Sequence, residues 1–307
     1  MHSETSININ FLQQAAIDLE KWDQCISGSV NGLIYGRSFY LDHMAKNWAA
    51  LVLNDYEAVM PLPWNRKYGI RYLYQPPFTA QLGLFSALPF SDSLIQTFLS
   101  HCEKNFRFCE LPLNGANCLS GLPLRANYIL DLQKDYGQIR TGYRKDLIQN
   151  LKTAGPDNLL YAGATDHQPV IDLYNNLYGN RFPQVRTWDY RHFSDLCEDL
   201  SRRKMIIVRQ VTEKNSGRLL ASSIFFKDGK RLYNIMSATL PDGREKLANP
   251  YLLDQLIREF SGEKTILDFE GSQIPGIAEF YRKFGAVSEP YPFFQFNHLP
   301  FPFRLLK

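Results

Sequence analysis

Apolar and polar positions follow a strand-like rhythm in two separate windows of the chain. Near residue 50, "NWAALVLND" is followed by "YEAVMPLPWN", two apolar and partly alternating runs joined by an Asn-Asp turn. That is the pattern of a β-hairpin. The rhythm returns in "KMIIVRQVTEKNSGRLLASSIFFKDGKRLYNIMSAT", which turns at Lys214-Asn215-Ser216-Gly217 and adds a third strand after Asp228-Gly229. Each window is followed by a segment of helical period, "SDSLIQTFLSHCEKN" and "NPYLLDQLIREFSG", opened by a Ser or an Asn-Pro cap. Each helix then gives way to a short apolar strand carrying an acid, Glu110 in the first case and Glu270 in the second. The offset from Trp48 to Met205 is nearly that from Glu110 to Glu270.

A constant offset between like elements predicts a tandem duplication. Antiparallel runs followed by a helix and a returning strand predict an α/β (α+β) fold: a mixed, mostly antiparallel sheet with helices on both faces, built twice. "DYGQIRTGYRKDLIQNLKTA" predicts a helix over 135–154, with Ile139, Tyr143, Leu147 and Leu151 on its apolar face. The segment before it, "LPLNGANCLSGLPLRANY", is rich in loop formers. The expected units are therefore 1–134 and 135–307.

Composition narrows the function. Of 307 residues, 45% are hydrophobic and 21% charged, an ordinary globular balance. The net charge of +3 is too small to argue for nucleic acid by bulk attraction, yet it permits an anionic ligand. The opening "MHSETSININFLQQ" lacks a basic start followed by an apolar run, and no segment is apolar enough to span a bilayer. The five scattered cysteines contain no Cys-x-x-Cys, which predicts reduced thiols and a cytoplasmic protein. His and Cys show no metal-ligand spacing, so no metal is expected.

The second half resembles the GNAT acyltransferase superfamily. In "AEFYRKFGA", Ala278, Tyr281, Lys283, Gly285 and Ala286 occupy the places of that family's final helix motif, Ala-x-x-x-Tyr-x-Lys-x-Gly. The strand "LDFEGS", the helix before it and the preceding meander stand in the family's order. The tandem arrangement is similar to Fem-type transferases, double-GNAT proteins that pass an aminoacyl group to a cell-wall precursor amine. The resemblance covers about 140–297; the first half follows it by layout only, as a degenerate unit.

The resemblance implies an acyltransferase in which an amine attacks a bound acyl or aminoacyl group directly, with no covalent enzyme intermediate. It implies Tyr281 as the acid that protonates the leaving group, with Glu270 or Asp268 as base. Each has a plainer reading: Tyr281 as an inward aromatic on its helix, the acids as partners of the Gly271-Ser272 turn. Asp268 and Glu270 alternate with Leu267 and Phe269, which predicts one shared strand face. The family's phosphate cradle, Arg/Gln-x-x-Gly-x-Gly/Ala, corresponds to Arg244-Glu245-Lys246-Leu247-Ala248-Asn249. Arg244 matches, whereas Leu247 and Asn249 replace glycines and Pro250 removes an N–H, which weakens the cradle. The implied donors are an acyl-CoA or, alternatively, an aminoacyl-tRNA; the acceptor is a small-molecule amine.

Arg140, Arg144 and Lys145, with Lys152, form a basic run that either contacts tRNA or nucleotide phosphates or is a solvated helix face. Lys283 steers an anionic substrate or complements the helix dipole. In "YLYQPPFTAQLGLF", Tyr72, Tyr74, Gln75 and Gln81 line a substrate cleft or pack as an edge strand and loop. A reading of another class remains beside these: a catalytically idle GNAT-like scaffold that binds a small molecule.

Overall fold

The computed structural model describes residues 8–155, 158–271 and 274–306. Part of the N-terminal stretch read above, and Ser272 of the expected Gly271-Ser272 turn, lie outside them. The chain divides into two compact units, one reaching to Arg125 and resuming at Pro290, the other spanning Ala126–Glu289. The boundary expected near residue 134 thus falls earlier, and the last strand belongs with the first unit.

The first unit holds strands β1 (Ile9–Gln13), β2 (Trp48–Leu53), β3 (Ala58–Lys67), β4 (Ile70–Leu73), β5 (Phe85–Ser86), β6 (Phe108–Pro112), β7 (Leu124–Arg125) and β15 (Tyr291–Asn297). They lie in the order β1-β2-β3-β4-β6-β15-β7, with β5 on β3. The β4–β6 pair is parallel. Its helices are α1 (Leu19–Gly28), α2 (Ser38–Met44) and α3 (Asp92–Asn105). Asp18 caps α1 by accepting the N–H groups of Glu20 and Lys21, each at 3.1 Å, and Ser91 caps α3 through Leu94. The six residues of β2 are all buried, and Trp48 meets Trp22 at 5.2 Å between ring centroids. Both indoles find acceptors, Gly36 O for Trp22 and Asp42 Oδ1 for Trp48, each at 2.8 Å, as buried indoles require.

The second unit holds β8 (Tyr128–Asp131), β9 (Leu159–Ala164), β10 (Ile206–Glu213), β11 (Leu219–Lys227), β12 (Arg231–Thr239), β13 (Ile266–Asp268) and β14 (Val287–Ser288). Their order is β14-β8-β13-β12-β11-β10-β9, with β12 and β13 parallel. The helices are α4 (Tyr136–Thr141), α5 (Lys145–Ala154), α6 (Gln168–Tyr178), α7 (Thr187–Arg202), α8 (Pro241–Glu245), α9 (Ala248–Phe260) and α10 (Pro275–Arg282). On α9, Leu252, Leu253, Leu256 and Ile257 are all at most 1% exposed and seat the helix on β10 and β11. Burying each is worth roughly 1.5–3 kcal/mol.

Read edge to edge, the two sheets repeat one another, with the parallel pair at the same place in each. The strand beyond that pair is exchanged: β15 follows β14 in the chain but lies beside β6, and β8 follows β7 but lies beside β13.

The helix expected over 135–154 is two helices. Gly142 ends α4, and Arg144 is extended (φ −69°, ψ 151°) where its N–H bonds the Lys283 carbonyl at 2.9 Å. The break admits Gly285, which has φ +77° and whose added Cβ would stand 3.1 Å from the Gly142 oxygen. The apolar face nonetheless holds: Ile139, Tyr143, Leu147 and Leu151 are all buried. Arg140 and Arg144 therefore do not share one helical face, whereas Lys145 and Lys152 stand two turns apart on α5.

Candidate active site

The parallel pair β12–β13 holds only three register partners, from Arg231↔Ile266 to Tyr233↔Asp268. Beyond them β12 continues to Thr239, with a bulge where the register shifts between Ile224↔Met236 and Phe225↔Asn234. The chain leaves β13 through Glu270, which has φ +60°. The sheet therefore parts, and Asp268 and Glu270 do not share a strand face as alternation predicted; the left-handed residue ends the pleat.

Asp268 is 1% exposed and accepts two hydrogen bonds, from Arg231 Nη1 at 2.7 Å and from the Glu270 N–H at 3.0 Å. Arg231 also grips Glu289 with both Nη atoms, at 2.7 and 2.8 Å. Burial pushes the Asp268 carboxyl upward, against the pull of Arg231. The carboxylate expected as a catalyst is thus engaged in a buried ion-pair network, where it positions the backbone of Glu270.

Tyr281 lies on α10 with its ring stacked on Phe269, centroids 4.7 Å apart and planes 24° from parallel. Arg282, next along the helix, donates to the Tyr128 hydroxyl at 2.6 Å. Burial pushes the Tyr281 phenol well above its ordinary value, and the charges of Glu270 and Asp268 add to this. Its hydroxyl makes no hydrogen bond among the described residues. It is a protonated donor, half-buried, beside the parted strands.

The third side comes from α6, which packs on β12. Tyr174 and Tyr178, one turn apart, meet edge to face at 5.2 Å. The Tyr174 phenol is pushed up to about 12, by burial first and then by Tyr190 and Tyr178. Arg181 and Arg244 both approach the Tyr178 ring, at 5.2 and 5.9 Å, and Arg244 Nη2 donates to its hydroxyl at 3.2 Å. Tyr174, Tyr178 and Arg181 were not singled out from the sequence. The signal was there in "LYNNLYGNR", two tyrosines at helical spacing followed by a cation.

The loop Arg244–Asn249 stands where the resemblance implies a phosphate cradle. Leu247, at a glycine position of the family motif, takes the left-handed conformation a glycine would adopt (φ +57°). Helix α9 starts at Ala248, so Pro250 falls in its first turn, where a missing N–H is tolerated. The N–H groups of Ala248 and Asn249 have no partner among the described residues. They, with Arg244, are what this chain offers an anion there. Against that, Asn249 buries an unpartnered Oδ1, and Lys246 is paired with Glu213. The adjoining cavity, about 320 Å³, is lined by Glu213 and Glu245 against Lys246 alone, a poor match to a diphosphate.

Other expected site residues have structural partners. Arg144 pairs with Glu279, and Lys283 with Asp146 at 2.6 Å. Arg140 buries an unpartnered Nε on α4, and Lys145 is exposed. In the first unit, Tyr74 accepts the Lys46 N–H at 2.8 Å. Gln75 donates to Thr79 O at 2.6 Å, and Gln81 accepts the Gly115 N–H at 3.2 Å, so both brace loops. Among the described residues no helix is long and apolar enough to cross a membrane.

No family model matches the chain, and no curated protein does. Solved structures do. FemX superposes with a TM-score of 0.66 at 12% identity, covering 97% of this chain and 99% of that one. The tandem GNAT protein from the clavulanic acid biosynthesis pathway gives 0.56 at 12%, covering 95% and 99%. A conserved protein of unknown function from Bacteroides thetaiotaomicron VPI-5482 gives 0.58 at 12%, covering 93% and 99%. The chain has the tandem GNAT fold. In that fold it is similar to FemX over nearly its whole length.

Proposed function

We propose that the second unit transfers an acyl or aminoacyl group to a small-molecule amine. The observation that carries this reading is the Tyr281 hydroxyl: protonated, without a partner among the described residues, and beside an acid where two parallel strands part. The neutral amine attacks the acyl carbonyl carbon, and the bond to the donor's sulfur or oxygen breaks. Glu270 takes the proton from the amine, directly or through one water. Tyr281 delivers its proton to the departing thiolate or alkoxide. Asp268 serves by fixing the turn that presents Glu270. Positioning and proton transfer are all the chemistry requires.

The donor is an acyl-CoA or an aminoacyl-tRNA. The exposed lysines Lys145 and Lys152 of α5, and surface pairs that exchange at small cost, such as Arg144 with Glu279, leave room for tRNA phosphates. The acidic cavity beside Lys246 favours the aminoacyl donor, or the idle binding scaffold, over coenzyme A.

The test is to incubate the protein with a panel of amines and either acetyl-CoA or mixed aminoacyl-tRNA, following thiol release or ester loss. Turnover that falls about 10²–10⁴-fold in Tyr281→Phe and Glu270→Gln supports the mechanism. A Tyr281→Phe variant as active as the parent overturns it. Thermal shift separates the scaffold reading: a ligand at 100 times its Kd adds about 2.7 kcal/mol. No shift with coenzyme A and no turnover with either donor would leave the binding protein.

A further inference from the structure

The tip of the β3–β4 hairpin, in the first unit, holds a tyrosine where the backbone disfavours one. Tyr68 has φ +52° and stays 73% exposed. A side chain in the left-handed region costs about 1–2 kcal/mol, which Asn or Gly largely avoids. So exposed a ring recovers little by burial. What it does is roof a cavity: its ring stacks on Phe303, centroids 5.7 Å apart and 28° from parallel. The cavity, about 230 Å³, is walled by Tyr68, Tyr72, Phe108 and Phe303 with two aliphatic side chains. Tyr72 and Phe108 meet edge to face at 6.4 Å, so the walls present both faces and edges of rings.

Among the described residues, Lys67 is the one charged residue lining the cavity. Its ammonium sits 5.5 Å from the Tyr68 ring centroid. No carboxylate lies within ion-pair distance of it among the described residues. An apolar aromatic chamber with one unneutralised cation is complementary to a flat ring that carries a negative charge.

We propose that this pocket binds a small planar aromatic anion, its ring against Tyr68, Tyr72 and Phe303 and its charged group on Lys67. The pocket lies wholly within the first unit and is independent of the acyl-transfer reading.

Isothermal titration with 2-naphthoate, its neutral analogue 2-naphthamide and the non-aromatic cyclohexanecarboxylate tests this on the full chain. The expected result is that naphthoate binds at least about 10-fold more tightly than either of the others. Lys67→Met should bring naphthoate down to the level of naphthamide. Tyr68→Asn should weaken naphthoate about 10-fold or more while leaving the melting temperature unchanged or raised, because Asn suits the left-handed region. No naphthoate binding at millimolar concentration overturns the proposal. So does full binding by Tyr68→Asn, or an undiminished preference for the anion in Lys67→Met.

Discussion

Replacing Arg231 by Met removes the cation that holds two carboxylates, Asp268 and Glu289, and keeps the stem that packs beside them. Asp268 is 1% exposed and has its other oxygen on the Glu270 N–H, so it cannot swing to water without undoing that turn. Stranding a buried charge of this kind costs about 3–5 kcal/mol at neutral pH. The loss must then depend on pH. Burial already pushes Asp268 above its ordinary value, and without Arg231 the push is unopposed. The folded variant then holds a proton that the unfolded chain releases above about pH 3.9, so its stability falls as pH rises and returns as pH is lowered. Each pH unit below the raised folded value recovers up to about 1.36 kcal/mol, or about 2.7 kcal/mol from pH 7.5 to 5.5 at most. Urea denaturation followed by circular dichroism at those two pH values, against the parent protein, measures both terms. A loss under 1 kcal/mol at pH 7.5, or an equal loss at both pH values, would refute the claim that this network is a buried, mutually dependent unit (about 1 kcal/mol is what an exposed pair contributes).

Tyr281→Phe should change the melting temperature little, because the hydroxyl makes no hydrogen bond among the described residues and the ring keeps its stack on Phe269, while any transfer activity falls steeply. In the parent protein, burial keeps the phenol protonated, so any transfer activity should hold its plateau through about pH 10, the ordinary tyrosine value, rather than decline with an ordinary phenol. Gly243→Ala should destabilise the protein by about 1–3 kcal/mol, since the new methyl would stand 2.2 Å from the Leu220 carbonyl oxygen; calorimetry reads this directly. Removing residues 291–307 should leave β6 and β7 without the strand between them, and gel filtration should then show more aggregate than the parent does.

Much of the fold was legible because it rests on local period. The meander from Ile206 to Thr239 and the helices around Ile95 and Leu256 announce themselves by alternation and by helical spacing. The helix that carries Tyr281 was legible because its motif stores its spacing in consecutive residues. The break at Gly142 was not: the apolar period runs straight through it, and the reason for the break, Gly285 against Gly142, lies far along the chain. Pattern along the chain also does not say which sheet a segment joins, so a boundary near 134 leaves β8 and β15 with their chain neighbours. The role of Asp268 was hidden for a similar reason. Its partner Arg231, and the Glu289 that shares that guanidinium, are distant in sequence and carry no local signature.

The strand exchange also sets a timetable. A ribosome releases β6 long before β15, and at about 5–20 residues per second the wait is roughly 10–40 s. Through that interval β6 and β7 each leave open an edge that β15 pairs in the completed sheet, and β8 waits for β13 in the same condition. The nascent chain cannot finish either half before nearly all of it has been made. Its yield in cells should therefore track the supply of holdase chaperones and the speed of translation across 126–290 more closely than it tracks the stability of the finished protein.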